Sequence, residues 1–286
     1  MAVLAVKAIP GLRKTNQLLY VEDDELSLVR DYQRVGETIH AFCNRISNSP
    51  IEECRLMTVK ENIFIAKRML VDNVYKAAKL ENIAITYPET IELVELNKNI
   101  GHLQPNEVTD VVNLKRAWEW LLDEEMLKTR QLSLDLIQDI HTKVAFGMAN
   151  LELDEIGQFR RVGVQIGGTR WRPPRPVTEV LHMELQELLV RFDDVVERAI
   201  ELYLWSCRNQ AFKDGNKRTS NFLANFELIK NGSGILTPPP EETLPTFRMK
   251  LIRFYETNDT TEMKLFLLNY CYNYGFEGLP LLEATL

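Results

Sequence analysis

Apolar residues recur at three- and four-residue steps through most of the chain, the spacing of helices that bury one face. "ETIHAFCNRI" (37–46) and "VKENIFIAKRMLVDNVYKAAKL" (59–80) both show it. "YPETIELVELNKNI" opens on Pro88 and Glu89, suited to a first helical turn, and should stop before Gly101. "VTDVVNLKRAWEWLLDEEM" carries Val112, Ala117, Trp118, Leu121 and Leu122 at helical spacing. Trp118 and Trp120 do not share one face, so one should pack and the other stay partly exposed. "SLDLIQDIHTKVAFGM" predicts a further helix with Ser133 as its N-cap. Helical spacing returns in "HMELQELLVRFDDVVERAIELYLWSCRNQ", "TSNFLANFELIKNG" (closed by Gly232), "LPTFRMKLIRFYETN" and "TEMKLFLLNYCYNY".

The period changes once. In "GQFRRVGVQIGGTRWRPPRP" Val162, Val164 and Ile166 alternate with small or polar residues, ahead of Gly167-Gly168 and Pro173-Pro174. That pattern predicts a short strand or hairpin on an otherwise helical body.

Composition narrows the classes of function. The 286 residues carry a formal charge of −7, which disfavours nucleic acid as the main partner. No window approaches the ~18 apolar residues that span a bilayer, and "MAVLAVKAIPGLRK" lacks the basic start and cleavage pattern of a secretory signal. Cys43, Cys54, Cys207 and Cys271 have neither CxxC spacing nor the density of a disulfide scaffold, and read as buried thiols. The expectation is a cytoplasmic protein with no membrane and no nucleic-acid partner; a homodimer is among its open assemblies.

The chemistry concentrates in "RNQAFKDGNKRTSNF" (208–222). A loop leading into a helix offers free backbone N–H groups to an anion, reinforced by the aligned peptide dipoles. Gly215 permits close backbone approach, Asn216 can donate to a phosphate oxygen, and Arg218 can bind one in bidentate fashion. Asp214 is a hard-oxygen ligand suited to a magnesium ion that already holds phosphates. The same residues could equally form a capped turn, with Asp214 or Asn216 capping the next helix and the cations solvated.

"QAFKDGNKR" resembles the HxFx(D/E)GN(G/K)R signature of Fic-domain proteins. "GQFRRVGVQIGGTRWRPP" is similar to the flap of that family, "AAKLENIAITYPET" to its N-terminal inhibitory helix, and "NLKRAWEWLL" to the helix that opens its core. The resemblance implies an all-α, Fic-type helical bundle with one small β-hairpin flap. It divides the chain into an N-terminal helical region (1–105, with the inhibitory-like helix at about 60–82), a Fic core (106–275) and a tail (276–286). The activity implied is transfer of AMP from ATP, with Mg²⁺, to a hydroxyl of a target protein whose identity the sequence does not name. Carried over, Phe212 anchors the loop, Asp214 holds the metal, Gly215, Asn216, Lys217 and Arg218 meet the phosphates, and Asn225 and Tyr255 line the nucleotide pocket. Glu81, followed by Asn82, corresponds to the inhibitory glutamate. Gly163, Val164, Gln165, Ile166 and Gly167 form the flap that clamps a target segment by strand addition.

Four positions depart from the pattern. Gln210 stands where the family has its catalytic histidine, and a carboxamide cannot remove a proton. Lys217 replaces the usual glycine, as in Doc-like members that transfer the γ-phosphate. Asn221 replaces a second arginine that partners the inhibitory glutamate, and Ala77 replaces a Ser/Thr. Glu81 is therefore expected to lack its usual partner, and the alternatives to AMP transfer are a catalytically degenerate binding module or a Doc-like phosphotransferase. Of His40, His102, His141 and His182, all read as structural, His182 is the one to inspect as a substitute base. Cys207 reads as core.

Overall fold

The computed structural model describes residues 57–274, together with a strand pair formed by β1 (Ala2–Val3) and β2 (Tyr20–Val21). The expected helix at 37–46, His40, Cys43, Cys54 and the tail 276–286 lie outside the described residues.

The apolar run from 59 to 80 forms two helices, α1 (Val59–Arg68) and α2 (Leu70–Leu80), separated at Met69. Thr58 caps α1 and Thr86 caps α3 (Tyr87–Glu95), each closing a reciprocal box with the glutamate three residues on. The next stretch divides into α4 (Pro105–Leu121) and α5 (Glu124–Thr129), and Ser133 caps α6 (Leu134–Ala145) as expected. After a long irregular segment come α7 (Thr178–Arg191), α8 (Val195–Asn209) and α9 (Asn216–Lys230). The chain ends in β3 (Ile235–Leu236), a short 3₁₀ turn, α10 (Leu244–Thr257), α11 (Thr261–Phe266), a π turn and β4 (Tyr272–Asn273).

The all-α expectation is met. The small β element present among residues 57–274 is the antiparallel pair β3–β4. The flap segment differs: residues 163–166 belong to no helix or ladder, with Val164 and Ile166 half-buried and Gly163, Gln165 and Gly167 exposed. The period-two pattern was set by one face packing on the body rather than by sheet pairing.

α9 is the axis of the molecule. Every residue from Phe222 to Ile229 is buried, as are Thr219 and Ser220, so this helix is enclosed on all sides. One apolar cluster runs from Ile63 and Ala66 in α1 through Leu114 and Trp118 in α4 to Phe222 and Phe226 in α9. The described helices before residue 105 therefore share one core with the helices after it. Trp118 is buried and Trp120 half-buried. Cys207 and Cys271 are free and buried. No helix among the described residues is long and apolar enough to cross a membrane.

Candidate active site at the start of the central helix

The site is built by the turn between α8 and α9. Gln210 ends α8 in the left-handed conformation, at φ 45° and ψ 50°, which turns the chain sharply back toward α6. Phe212 is 1% exposed and stacks face to face on His141 of α6, with ring centroids 3.8 Å apart and planes within 3°. Asn216 then closes the loop, its Nδ2 donating to the Phe212 carbonyl at 2.8 Å and its Oδ1 accepting from the Phe212 N–H at 2.9 Å. The side chain expected to meet phosphate thus acts here as a backbone clamp.

His141 fixes the other side. The Gly157 N–H donates to its Nδ1 at 2.9 Å, so Nε2 carries the proton and donates to the Asp214 carbonyl at 3.0 Å. With both nitrogens engaged, the imidazole is structural, as the sequence suggested, yet it determines where Asp214 sits. Burial pushes its pKa down from 6.5 to about 4. Between those values the unfolded chain takes up a proton that the folded chain refuses. Stability is therefore full above pH 6.5 and falls as pH drops toward 4, by up to about 3 kcal/mol from this group. Denaturant melts across that range should show the slope, and His141→Gln should lack this contribution; identical profiles would contradict a neutral buried imidazole.

The loop delivers α9 with its first turn open. Gly215 is the N-cap, at φ +75°, and a Cβ there would meet His141 Nε2 at 3.4 Å. No side chain caps the helix, and among the described residues no acceptor engages the N–H groups of Asn216, Lys217 and Arg218. Beside them lies Arg218, its side chain only 5% exposed, with Nε and Nη1 making no hydrogen bond. Three carboxylates ring this guanidinium at ion-pair range: Asp110 at 3.6 Å, Asp214 at 3.8 Å and Glu81 at 3.9 Å. Burial lifts the Asp110 carboxyl above its ordinary value, with Arg218 opposing the rise. Asp214 is half exposed; it accepts from its neighbour's N–H through Oδ1, and Asn150 donates to Oδ2.

Glu81 lacks the arginine that Asn221 replaces, as expected, but has other cations beside it. It ends α2, where a carboxylate meets the negative pole of its own helix dipole. Its partners come from the first turn of α9: Lys217 at 3.5 Å and Arg218 at 3.9 Å. The lysine that departs from the usual glycine therefore supplies a cation where Asn221 does not. Asn82, at φ +63°, accepts from Arg248 of α10 at 2.6 Å, and the same nitrogen donates to the Leu80 carbonyl. This holds the end of α2 over the loop.

Gln210 faces away from proton chemistry. Its Nε2 donates to the Cys207 carbonyl at 2.6 Å and lies 3.4 Å from the Tyr255 hydroxyl. Tyr255 is 2% exposed, and Asn225 is fully buried with its amide engaged by the Leu236 backbone and Asn221. Both expected pocket-lining residues are thus packed, Asn225 because it fastens β3 to α9. His182 is exposed on α7 and makes no bond to the loop.

Arg160 is a residue that sequence reading passed over among the flap's arginines. Buried to 5% exposure, it donates to the carbonyls of Gln210 at 2.6 Å, Val162 at 2.8 Å and Pro174 at 2.5 Å. It ties both ends of the flap to the residue that ends α8. Trp171 stacks on Tyr255, with Arg208 4.7 Å from the Trp171 ring centre, and Thr169 donates to Glu256.

Residues 131–228, spanning the flap and the loop but not Glu81, match the Fic/DOC family. No curated protein matches the chain. Among solved structures, Fic-1 (residues 134–508) from C. elegans superposes with a TM-score of 0.62 at 20% identity, over 85% of this chain and 69% of that one. A Fic-domain-containing signaling protein from Bacteroides thetaiotaomicron gives 0.61 at 17% identity, over 74% and 85%. A Fic family protein from Desulfovibrio desulfuricans gives 0.58 at 15%, over 88% and 74%. At these identities the likeness is one of fold. Residues 131–228 form a Fic/DOC family domain, set in a helical body with the fold of Fic proteins.

Proposed function

We propose that the loop 212–218 binds Mg-ATP and that the chain transfers AMP to a hydroxyl of a target protein, at a rate held low by Gln210. The observation that carries this reading is the conjunction of three free N–H groups at the start of α9 with a buried guanidinium whose Nε and Nη1 have no hydrogen-bond partner. Such donors are costly to leave unpaired and suit a phosphate group.

The residues fit the two groups that the fold family implies. Asp214 presents a partly exposed carboxylate, the kind of single protein ligand that holds magnesium together with phosphate oxygens. Among the described residues no three His, Cys, Asp or Glu side chains are placed to hold a metal ion by themselves, the three carboxylates around Arg218 included, so the ion would be held jointly with the nucleotide. Bound Mg-ATP supplies the activated phosphate. Gly215 lets the backbone approach it, while Lys217 and Arg218 offset its charge once they leave Glu81. The flap, anchored by Arg160, presents the target segment. The target hydroxyl oxygen would bond to the α-phosphorus as the bond from that phosphorus to the bridging oxygen breaks and pyrophosphate leaves with the magnesium. No group at the Gln210 position takes the hydroxyl proton, which passes to solvent, and loss of that help typically costs ~10²–10⁴ in rate.

Two specific observations favour other readings. Lys217 is the residue of Doc-like phosphotransferases, and the anchored Gln210 amide suits a binding module without catalysis. Incubating the purified chain with cell lysate and ATP labelled at the α or γ position separates the three. Label from the α position on protein is the expected result. Label from γ alone means phosphoryl transfer, and no label while Mg-ATP is bound means a binding module.

A further inference from the structure

The flap carries a charge pattern that AMP transfer does not require. From residue 156 to 178 the chain has no acidic residue but five arginines: Arg160, Arg161, Arg170, Arg172 and Arg175. This run sits in a chain of net charge −7. Arg160 is consumed in pinning the flap, but Arg161, Arg170, Arg172 and Arg175 are all exposed, and no carboxylate among the described residues is within ion-pair range of any of them. Glu256, the carboxylate bonded to this segment, is held by the Thr169 hydroxyl. Arg175 lies close enough to Arg160 for the two like charges to repel. Surfaces that gather unpaired like charges raise the local concentration of oppositely charged partners.

The backbone between these arginines narrows the kind of partner. Residues 163–166 alternate between exposed and half-buried, the period of a strand, belong to no helix or ladder, and make no backbone–backbone hydrogen bond to the described residues. A segment of that period with free N–H and C=O groups can accept one more strand, and a polypeptide supplies the matching alternation of donors and acceptors. A nucleic-acid backbone offers acceptors but no such alternation.

We propose that the flap selects a target segment that is extended and acidic, with Asp or Glu flanking the residue presented to the loop. The proposal rests on the reading of residues 163–167 as the target-holding flap and adds the chemistry of what is held. Strand addition fixes the register of the segment. The arginines on either side of 163–166 steer it in and set its preference, as charge complementarity does at other interfaces.

The test measures binding to the 286-residue chain without nucleotide, so it stands whether or not the protein transfers AMP. The probes are fluorescent extended peptides with a central Ser, flanked by Glu, by Gln or by Lys, and a single-stranded oligonucleotide. The Glu-flanked peptide is expected to bind about ten-fold tighter than the Gln-flanked one at low salt, with the margin shrinking as salt rises. The triple variant R170E/R172E/R175E, whose substitutions are all at exposed positions, should melt as the parent does and turn the preference toward the Lys-flanked peptide. Equal affinity for the three peptides, or no binding of any, overturns the proposal. Tighter binding of the oligonucleotide than of the acidic peptide also overturns it and assigns the patch to nucleic acid.

Discussion

Gln210→His is expected to raise α-labelling of target protein by roughly 10²-fold or more, the size of effect that a general base usually supplies. The position is suited to the change. Residue 210 sits at φ 45°, a region of backbone space in which histidine, unlike β-branched residues, is comparatively tolerated. The amide that leaves is bonded to the Cys207 carbonyl at 2.6 Å, and an imidazole N–H can donate to the same acceptor. Phe212, His141, Asn216 and Arg160 hold the surrounding loop without help from the Gln210 side chain, so the phosphate cradle should survive intact. An unchanged rate with Mg-ATP bound would mean that the nucleotide lies in a pose where a base at this position cannot act.

Glu81→Gly is expected to tighten Mg-ATP binding by roughly ten- to hundred-fold. Its carboxylate lies 3.5 Å from Lys217 and 3.9 Å from Arg218, the two cations that the phosphates need. A phosphate group entering the first turn of α9 must displace it or tolerate its charge. Release is opposed by the anchorage of α2: Arg248 holds Leu80 and Asn82, and Glu241 accepts from Tyr75 and pairs with Lys79. Removing the carboxylate alone leaves that anchorage in place, so a gain in affinity would report the competition rather than a loosened fold.

Much of this was legible in the sequence, and the exceptions have physical causes. Helices announced themselves because each buries one face, and the loop because a glycine-centred polar run interrupts that periodicity. The break at Met69 was hidden, since α1 and α2 continue the apolar spacing across it. Asp110 was invisible because its meaning comes from α4 lying against the start of α9, which no local pattern encodes. Arg160 looked like its exposed neighbours; only the fold shows that it is buried against three carbonyls. The Lys217–Glu81 contact was hidden because the two residues lie far apart in sequence and meet only where the end of α2 packs over the start of α9. Asn225 and Tyr255 were legible as helix residues, but their burial is tertiary.

The central claim, that the start of α9 and Arg218 form a phosphate cradle shut by Glu81, is tested most directly by calorimetric titration of Mg-ATP. The comparison needs the parent chain, Glu81→Gly, and Glu81→Gly combined with Arg218→Met. The account predicts weak binding by the parent, clear tightening in the first variant and loss of that gain in the second. Equal affinity in all three, or no binding even without Glu81, would contradict it.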